Sequence, residues 1–351
     1  MRPKWAWKSK LLGLVRKPLK QLEDIDTMVE RLYWIAQKQY LEHEFTRERY
    51  ADGKRLEPYG FKVYSQNDED GIIQEIFHRI GTNNQTFIEL GVEDGLKSDT
   101  LKLLLAGWRG LWLEVGAKNV ISIKKRFFDV IADNRLAVTQ AFIIADNIND
   151  FIRDWKTGEI DLLSIDIDGN DFYVWKVLNV INPQVVVIEC NWKFPAPLSV
   201  VQACDPRNIW RGTDYMGASL EALVRLGERL GYSLVGTTVM GLNAFFVRND
   251  LVEEKFQRPF SAKNHYNGND FLWPYLGPGH PADWGRWGTG GLNVNLNPEP
   301  TSSAGTKRHI LSGEELLHRA QTATAWYFHN GSSAGMAEFA EFKNYATKLA
   351  P

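Results

Sequence analysis

Five short apolar runs, TFIEL at 86–90, GLWLEV at 110–115, VTQAFII at 138–144, DLLSIDI at 161–167 and VVVIEC at 185–190, are separated by intervals of helix length. Runs this short and this apolar read as strands buried on both faces. Helix-length spacers make their connections crossovers, so the strands run parallel. The expectation is an α/β fold, an open and doubly wound sheet. Beyond the fifth run, ASLEALVRLGERLGY at 218–232 has the period of an amphipathic helix, and SLVGTT and NAFFVR follow with only a short Gly-containing link between them. That spacing suits an antiparallel pair completing a mostly parallel, seven-stranded sheet.

Around this unit the character of the sequence changes. The first twenty residues carry Arg2, Lys4, Lys8, Lys10, Arg16, Lys17 and Lys20 without an acid, although the whole chain has a formal charge of only -2. This basic arm, with Trp5 and Trp7, reads either as a solvated tail or as a peripheral contact with an anionic membrane surface. From Asp24 to Tyr50, Ile25, Met28, Leu32, Ile35 and Ala36 recur at three and four spacing, the pattern of an amphipathic helix that packs on the body or on a second copy. The turn-rich ADGKRLEPYG at 51–60 then opens the main unit, giving an arm at 1–57 and a central domain at 58–255. From 256 to 351 the sequence is rich in Gly, Pro and Trp, including Trp273, Trp284 and Trp287, and reads as a lid. Ser312 and Glu315, in capping-box spacing, mark one later helix. Two cysteines, Cys190 and Cys204, make no disulfide framework and no metal-ligand spacing. No window has the roughly 18 continuous apolar residues of a membrane span, and the expected setting is cytoplasmic, with the inner face of a membrane as the alternative for the arm.

Ligands of doubly wound sheets bind beyond the carboxyl ends of the strands, so the residues closing each run carry the chemistry. Those residues include Glu89 to Gly95, Glu114, Asp146, Asp166 to Asp171, and Glu189 to Asn191. The turn after the first strand has Gly91 and Gly95 with Glu93 and Asp94 between them. It is neither the G-x-G-x-x-G of dinucleotide sites nor a P-loop, and its acids repel phosphate. An acidic glycine turn suits a ligand that carries positive charge and no phosphate, namely an adenosine bearing an ammonium and a sulfonium: S-adenosylmethionine. On this reading Gly91 and Gly95 admit the backbone close to the ligand, Glu114 accepts from the ribose hydroxyls, and Asp146 either meets the adenine amino group or caps a helix.

The blocks SQNDEDGII (65–73), FIELGVEDG (87–95), GWRGLWLE (107–114), DLLSIDIDGNDFYVW (161–175), VVVIECN (185–191), GASLEAL and GLNAFFVR (217–248) together resemble the FkbM-type class I S-adenosylmethionine-dependent methyltransferases, over roughly residues 58 to 250. The resemblance implies the class I methyltransferase sheet and methyl transfer to a hydroxyl of a sugar, glycan or glycoconjugate. It also favours Gln66 and Asp70 as cofactor-pocket residues over their reading as a helix cap, alongside Glu89 and Asp166. LEVGAK at 113–118 departs from the Asp-Gly that follows the second strand in many relatives.

A sugar hydroxyl is a poor acid, so the reaction needs a base or a cation beside the acceptor. Asp168 and His265 are the candidate bases. Asp168, Glu189 and Asn191, with Asp166 on the same side of its strand as Asp168, are the alternative as oxygen ligands for Mg²⁺. Trp273, Trp284 and Trp287 suit either stacking on sugar rings or covering an apolar face. No basic stripe continues into the core, so no nucleic-acid partner is expected; a homodimer through the arm is. A non-catalytic cofactor- or glycan-binding scaffold stands as the other function, because a fold does not establish turnover.

Overall fold

The computed structural model describes residues 38–207 and 209–267, positions 25, 28, 29, 31, 32, 35 and 36, and the backbone of 287–288. The chain separates into two units, Met1–Leu292 and Asn293–Pro351, and every described residue belongs to the first. The expected C-terminal helix at Ser312, and Trp273 and Trp284, lie outside the described residues.

Seven strands form one sheet: β1 (Thr86–Leu90), β2 (Arg109–Glu114), β3 (Leu136–Gln140), β4 (Gly158–Ile165), β5 (Ile181–Glu189), β7 (Tyr232–Thr237) and β8 (Asn243–Arg248). Their order is β3-β2-β1-β4-β5-β8-β7, and β6 (Val201–Gln202) pairs separately with β9 (Trp287–Gly288). The first five strands are parallel, while β8 lies antiparallel to both β5 and β7, as the short Gly-containing link requires. Strand order reverses between β1 and β4, which places the ligand crevice at their carboxyl ends. The third strand ends earlier than its apolar run does: the sheet stops at Gln140, and Phe142 is exposed beyond it.

Helices cover both faces because β1, β2 and β5 bury nearly every side chain, leaving no wet face to expose. On one side α1 (Glu69–Ile80) sets Ile72, Ile73, Ile76 and Phe77 into a cluster with Phe87, Trp112, Val185 and Phe245. At roughly 1.5–3 kcal/mol per buried large side chain, this cluster is a principal source of stability. At α7 (Leu220–Leu230) the Ser219 hydroxyl accepts from the Ala222 N–H at the start and Gly231, at φ 86°, ends it. Trp175 of α6 (Asp171–Val177) stacks against Phe246 at 4.9 Å between ring centroids, so this face is closed by aromatics.

Two segments flanking the sheet pack on each other. Arg55, from the turn-rich entry, is buried, pairs with Glu57 at 3.0 Å and donates to the carbonyl and side chain of Asn264. The segment from Phe256 therefore begins as a packed strap, with Phe256, Ala262, His265 and Asn267 buried. The described positions between 25 and 44 are helical, and Ile25, Met28, Val29, Leu32 and Ile35 are all more than half exposed. No helix among the described residues is long and apolar enough to cross a membrane.

Candidate functional site

The turn after β1 is braced from β2. The Glu114 carboxylate accepts from the N–H groups of Val92 (3.2 Å) and Glu93 (2.9 Å) on one oxygen, and from Gly116 N–H (2.7 Å) and Asn119 Nδ2 (3.1 Å) on the other. Glu114 thus fixes the glycine turn and its own β2 turn in one piece, and these four bonds take up the roughly four acceptor sites of its carboxylate. Gly91 has a φ of 80°, and a Cβ there would stand 1.7 Å from the Asp166 carbonyl oxygen. A Cβ on Gly95, at φ 77°, would meet the Trp112 ring at 2.8 Å. Both glycines are demanded by the protein's own backbone and core, a reason additional to the ligand approach expected from sequence.

Carboxylates converge on the crevice from five segments. Asp166 lies just beyond β4, and burial pushes its carboxyl well above the usual range, reinforced by Asp171, Asp168, Glu89 and Glu69. Glu189, closing β5, is pushed up by burial and then by Asp166, Asp171 and Asp168. Asp99 is raised by burial and by Glu69, Glu89 and Asp166, with only the Ser164 hydroxyl, donating at 2.7 Å, opposing. Burial lifts Glu89 to about 7 although it accepts from Thr100 Oγ1 and from the N–H groups of Asp99 and Thr100. Asp68 reaches about 8, by burial and then by Glu69. Asp171 stands at about 6, its oxygens taking the N–H groups of Ile167 and Gly169 and so closing the turn in which Asp168 has a φ of 56°. One oxygen each of Asp166, Asp168 and Glu189 lies within 4.8 Å of the others. At that separation and an effective dielectric of about 20, an ionised Asp166 and Glu189 repel by about 3 kcal/mol. The crevice is short of positive charge.

The remaining expected residues fall as follows. Asp70 is buried, and its Oδ2 takes the N–H groups of Val63, Tyr64 and Ser65 and the Ser65 hydroxyl. It shapes the loop before α1, and neighbouring Gln66 is exposed on that loop. Asp146 is exposed after β3. The Asn191 amide is occupied: its Nδ2 donates to the carbonyls of Asp214 (2.8 Å) and Met216 (3.0 Å), and its Oδ1 accepts from Lys193 N–H. Among the acids, Asp166 is the one whose oxygen stands with those of Asp168 and Glu189. His265 is not brought to these acids. It is fully buried in the strap, its Nε2 lies 3.1 Å from the Gln257 carbonyl, and burial lowers it to about 4, with Glu57, Arg55 and Arg49 the principal charges around it.

Sequence reasoning passed over Glu69 and Asp99, which join the crevice from the start of α1 and the loop after the glycine turn, whereas Asp68 turns its carboxylate to the Val239 N–H at 3.0 Å. The acids of SQNDED and KSDT carried no local sign of this, since caps use the same residues. Val115 and Phe142 were passed over as well. They are exposed on the paired extensions of β2 and β3, where Ala141 N–H donates to the Glu114 carbonyl and Gln140 Nε2 to that of Val115. Both lie at the strand ends beyond Glu114, with their side chains exposed.

No family model and no curated protein matches the chain. Among solved structures, it is similar to an O-methyltransferase from Bacillus cereus in complex with SAH, at 16% identity over 54% of this chain and 83% of that one, with a TM-score of 0.34. It is similar also to the N-terminal domain of EvdMO1 with SAH bound (15% identity, 55% and 90% covered, TM-score 0.35). A third is the glycopeptide N-methyltransferase MtfA complexed with S-adenosyl-L-methionine (14% identity, 50% and 85% covered, TM-score 0.32). Likeness at this level does not reach the chemistry of the site.

Proposed function

We propose that the protein is an S-adenosylmethionine-dependent O-methyltransferase of the FkbM type, acting on a hydroxyl of a sugar, glycan or glycoconjugate. The observation that carries this reading is the crowding of acids at the carboxyl edge, where one oxygen each of Asp166, Asp168 and Glu189 lies within 4.8 Å of the others and Glu89, Asp99 and Asp171 stand close enough to raise the Asp166 or Glu189 carboxyl or to be raised by them. Buried carboxylates crowded in this way favour a cationic occupant and disfavour a phosphate. S-adenosylmethionine supplies a methyl group on a positively charged sulfonium, and its ammonium adds a second cation.

Glu114 holds the glycine turn against the ribose, Val115 and Phe142 flank the base, and Asp99 with Glu69 faces the ammonium. Methyl transfer joins the acceptor oxygen to the methyl carbon as the carbon–sulfur bond breaks. The acceptor's proton then passes to Asp168, the candidate base that lies on the crevice. The same edge suits a divalent cation. Glu189 Oε2 is buried without a hydrogen-bond partner, and the oxygens of Asp166, Asp168 and Glu189 are close enough to share one ion. Mg²⁺ held there would act as a Lewis acid on the acceptor hydroxyl.

Calorimetric titration of the purified protein with S-adenosylmethionine and with its demethylated product, with and without Mg²⁺, tests the reading directly. Binding is expected to weaken in Asp99→Asn and in Glu114→Gln. Absence of binding under every condition would remove the proposal.

A further inference from the structure

The stretch between β5 and α7 is not absorbed by cofactor binding. It builds a cleft of about 710 Å³, lined among the described residues by 202–207 and Tyr215. That volume falls within the roughly 300–1,000 Å³ of small-molecule pockets. The lining is mixed: Ala203 and Pro206 contribute apolar surface, Tyr215 Oη accepts from the Ala203 N–H, Asp205 and Arg207 form an exposed ion pair at 3.5 Å, and Cys204 contributes a free, exposed thiol.

Three side chains fasten this wall to the strand ends that bear the acids. Asn170, two residues after Asp168, donates through Nδ2 to the Asp205 carbonyl at 2.9 Å. Tyr173, on α6, donates to the Gln202 carbonyl at 2.8 Å. Asn191, two residues after Glu189, donates to the carbonyls of Asp214 and Met216 on either side of Tyr215. Both walls of the cleft are therefore tied to the loops carrying Asp168 and Glu189. A ring of hydroxyls suits such a lining, because its donors and acceptors can alternate among backbone edges, a phenol, a carboxylate and a guanidinium.

We propose that this cleft is the acceptor subsite, taking a pyranose-sized hydroxylated ring, and that Asn170 and Asn191 are positioning residues that hold it in register with Asp168 and Glu189. The proposal rests on the methyl-transfer reading for its chemistry but not for its test. Cys204 is the built-in reporter, since the only other cysteine, Cys190, is buried and its thiol is raised by that burial.

The full chain is alkylated with iodoacetamide, in the presence and absence of the demethylated cofactor product, and the sites are read by peptide mass mapping. The panel of pyranoses is glucose, rhamnose, fucose and glucuronate. Cys204 alone is expected to react, and at least one sugar should slow it several-fold in a saturable way. In Asn170→Ala and Asn191→Ala, half-protection should move to roughly tenfold higher sugar, a change of about 1.4 kcal/mol, while cofactor affinity stays at the parent value. The second variant guards against a folding defect in the first. Protection of Cys204 in a protein that fails to bind the cofactor would sustain the sugar subsite and defeat the methyltransferase reading. Cofactor binding with a Cys204 rate indifferent to every sugar would overturn the subsite. Protection that both variants leave unchanged would overturn the positioning role.

Discussion

Replacing Gly91 with alanine separates the two demands on the glycine turn. The new Cβ would stand 1.7 Å from the Asp166 carbonyl oxygen, and that oxygen is not free to retreat. Asp166 N–H donates to the Leu90 carbonyl at 3.0 Å and Gly91 N–H to the Leu113 carbonyl at 2.9 Å, so both sides of the contact are pinned to the sheet. The left-handed backbone, at φ 80°, adds about 1–2 kcal/mol for a residue with a Cβ. Overpacking against fixed neighbours adds about 1–3 kcal/mol, for a total of roughly 2–5 kcal/mol. For a domain of this size that corresponds to a fall in melting temperature on the order of 10 °C. Gly107→Ala is the matched control, since its φ of 99° has the same sign but nothing lies within 4 Å of the added carbon, leaving only the conformational cost. Thermal and urea unfolding of both variants, each with a cofactor titration, make the comparison. Gly91→Ala stability equal to that of Gly107→Ala, together with lost cofactor binding, would refute the packing argument and return the glycine to the ligand.

Asp68 and Glu89, held at about 8 and about 7, keep protons in the folded protein that the unfolded chain has released. The stabilisation this gives is complete below about pH 4 and is lost as pH rises through those values, at about 1.4 kcal/mol per unit per group. The melting temperature of the ligand-free protein should accordingly fall between about pH 5 and about pH 8, and a rise over that range would contradict the charge crowding. Glu189→Gln should stabilise the ligand-free protein at pH 8 by relieving like-charge repulsion and should abolish any response of melting temperature to Mg²⁺; an undiminished response would exclude Glu189 as a ligand. His265→Gln should cost about 1–3 kcal/mol through its buried contacts and leave cofactor affinity unchanged, as isothermal titration would show. Ile25, Met28, Leu32 and Ile35 recur at three and four spacing and are all exposed, and we propose that a second copy of the chain covers them. Light scattering at micromolar concentration should give a dimer mass, and a monomer mass would sink that pairing.

The sequence by itself determined the sheet and the acids along its carboxyl edge. Runs such as VVVIEC are buried on both faces, so their placement in a doubly wound sheet follows from hydrophobicity alone, and the acids that close them mark the crevice before any contact is known. The Gly-containing link set β7 and β8 antiparallel, but period two does not reach Asp166 and Asp168: both lie beyond β4, in a turn where Asp168 has a φ of 56°. Only the tertiary structure decided which acids meet and what each side chain is used for. Glu69, Asp99, Asp166 and Glu189 are scattered over more than a hundred residues, and neighbours at that range leave no periodic trace. The same limit hid why Gly91 must be glycine, since the obstructing carbonyl belongs to Asp166 on the neighbouring strand's loop. It also hid that Asn191 fastens the 214–216 loop and that His265 lies buried beside Arg55, more than two hundred residues earlier. Local pattern sets which face a side chain takes; its partner is set by the strands and loops that the fold brings alongside.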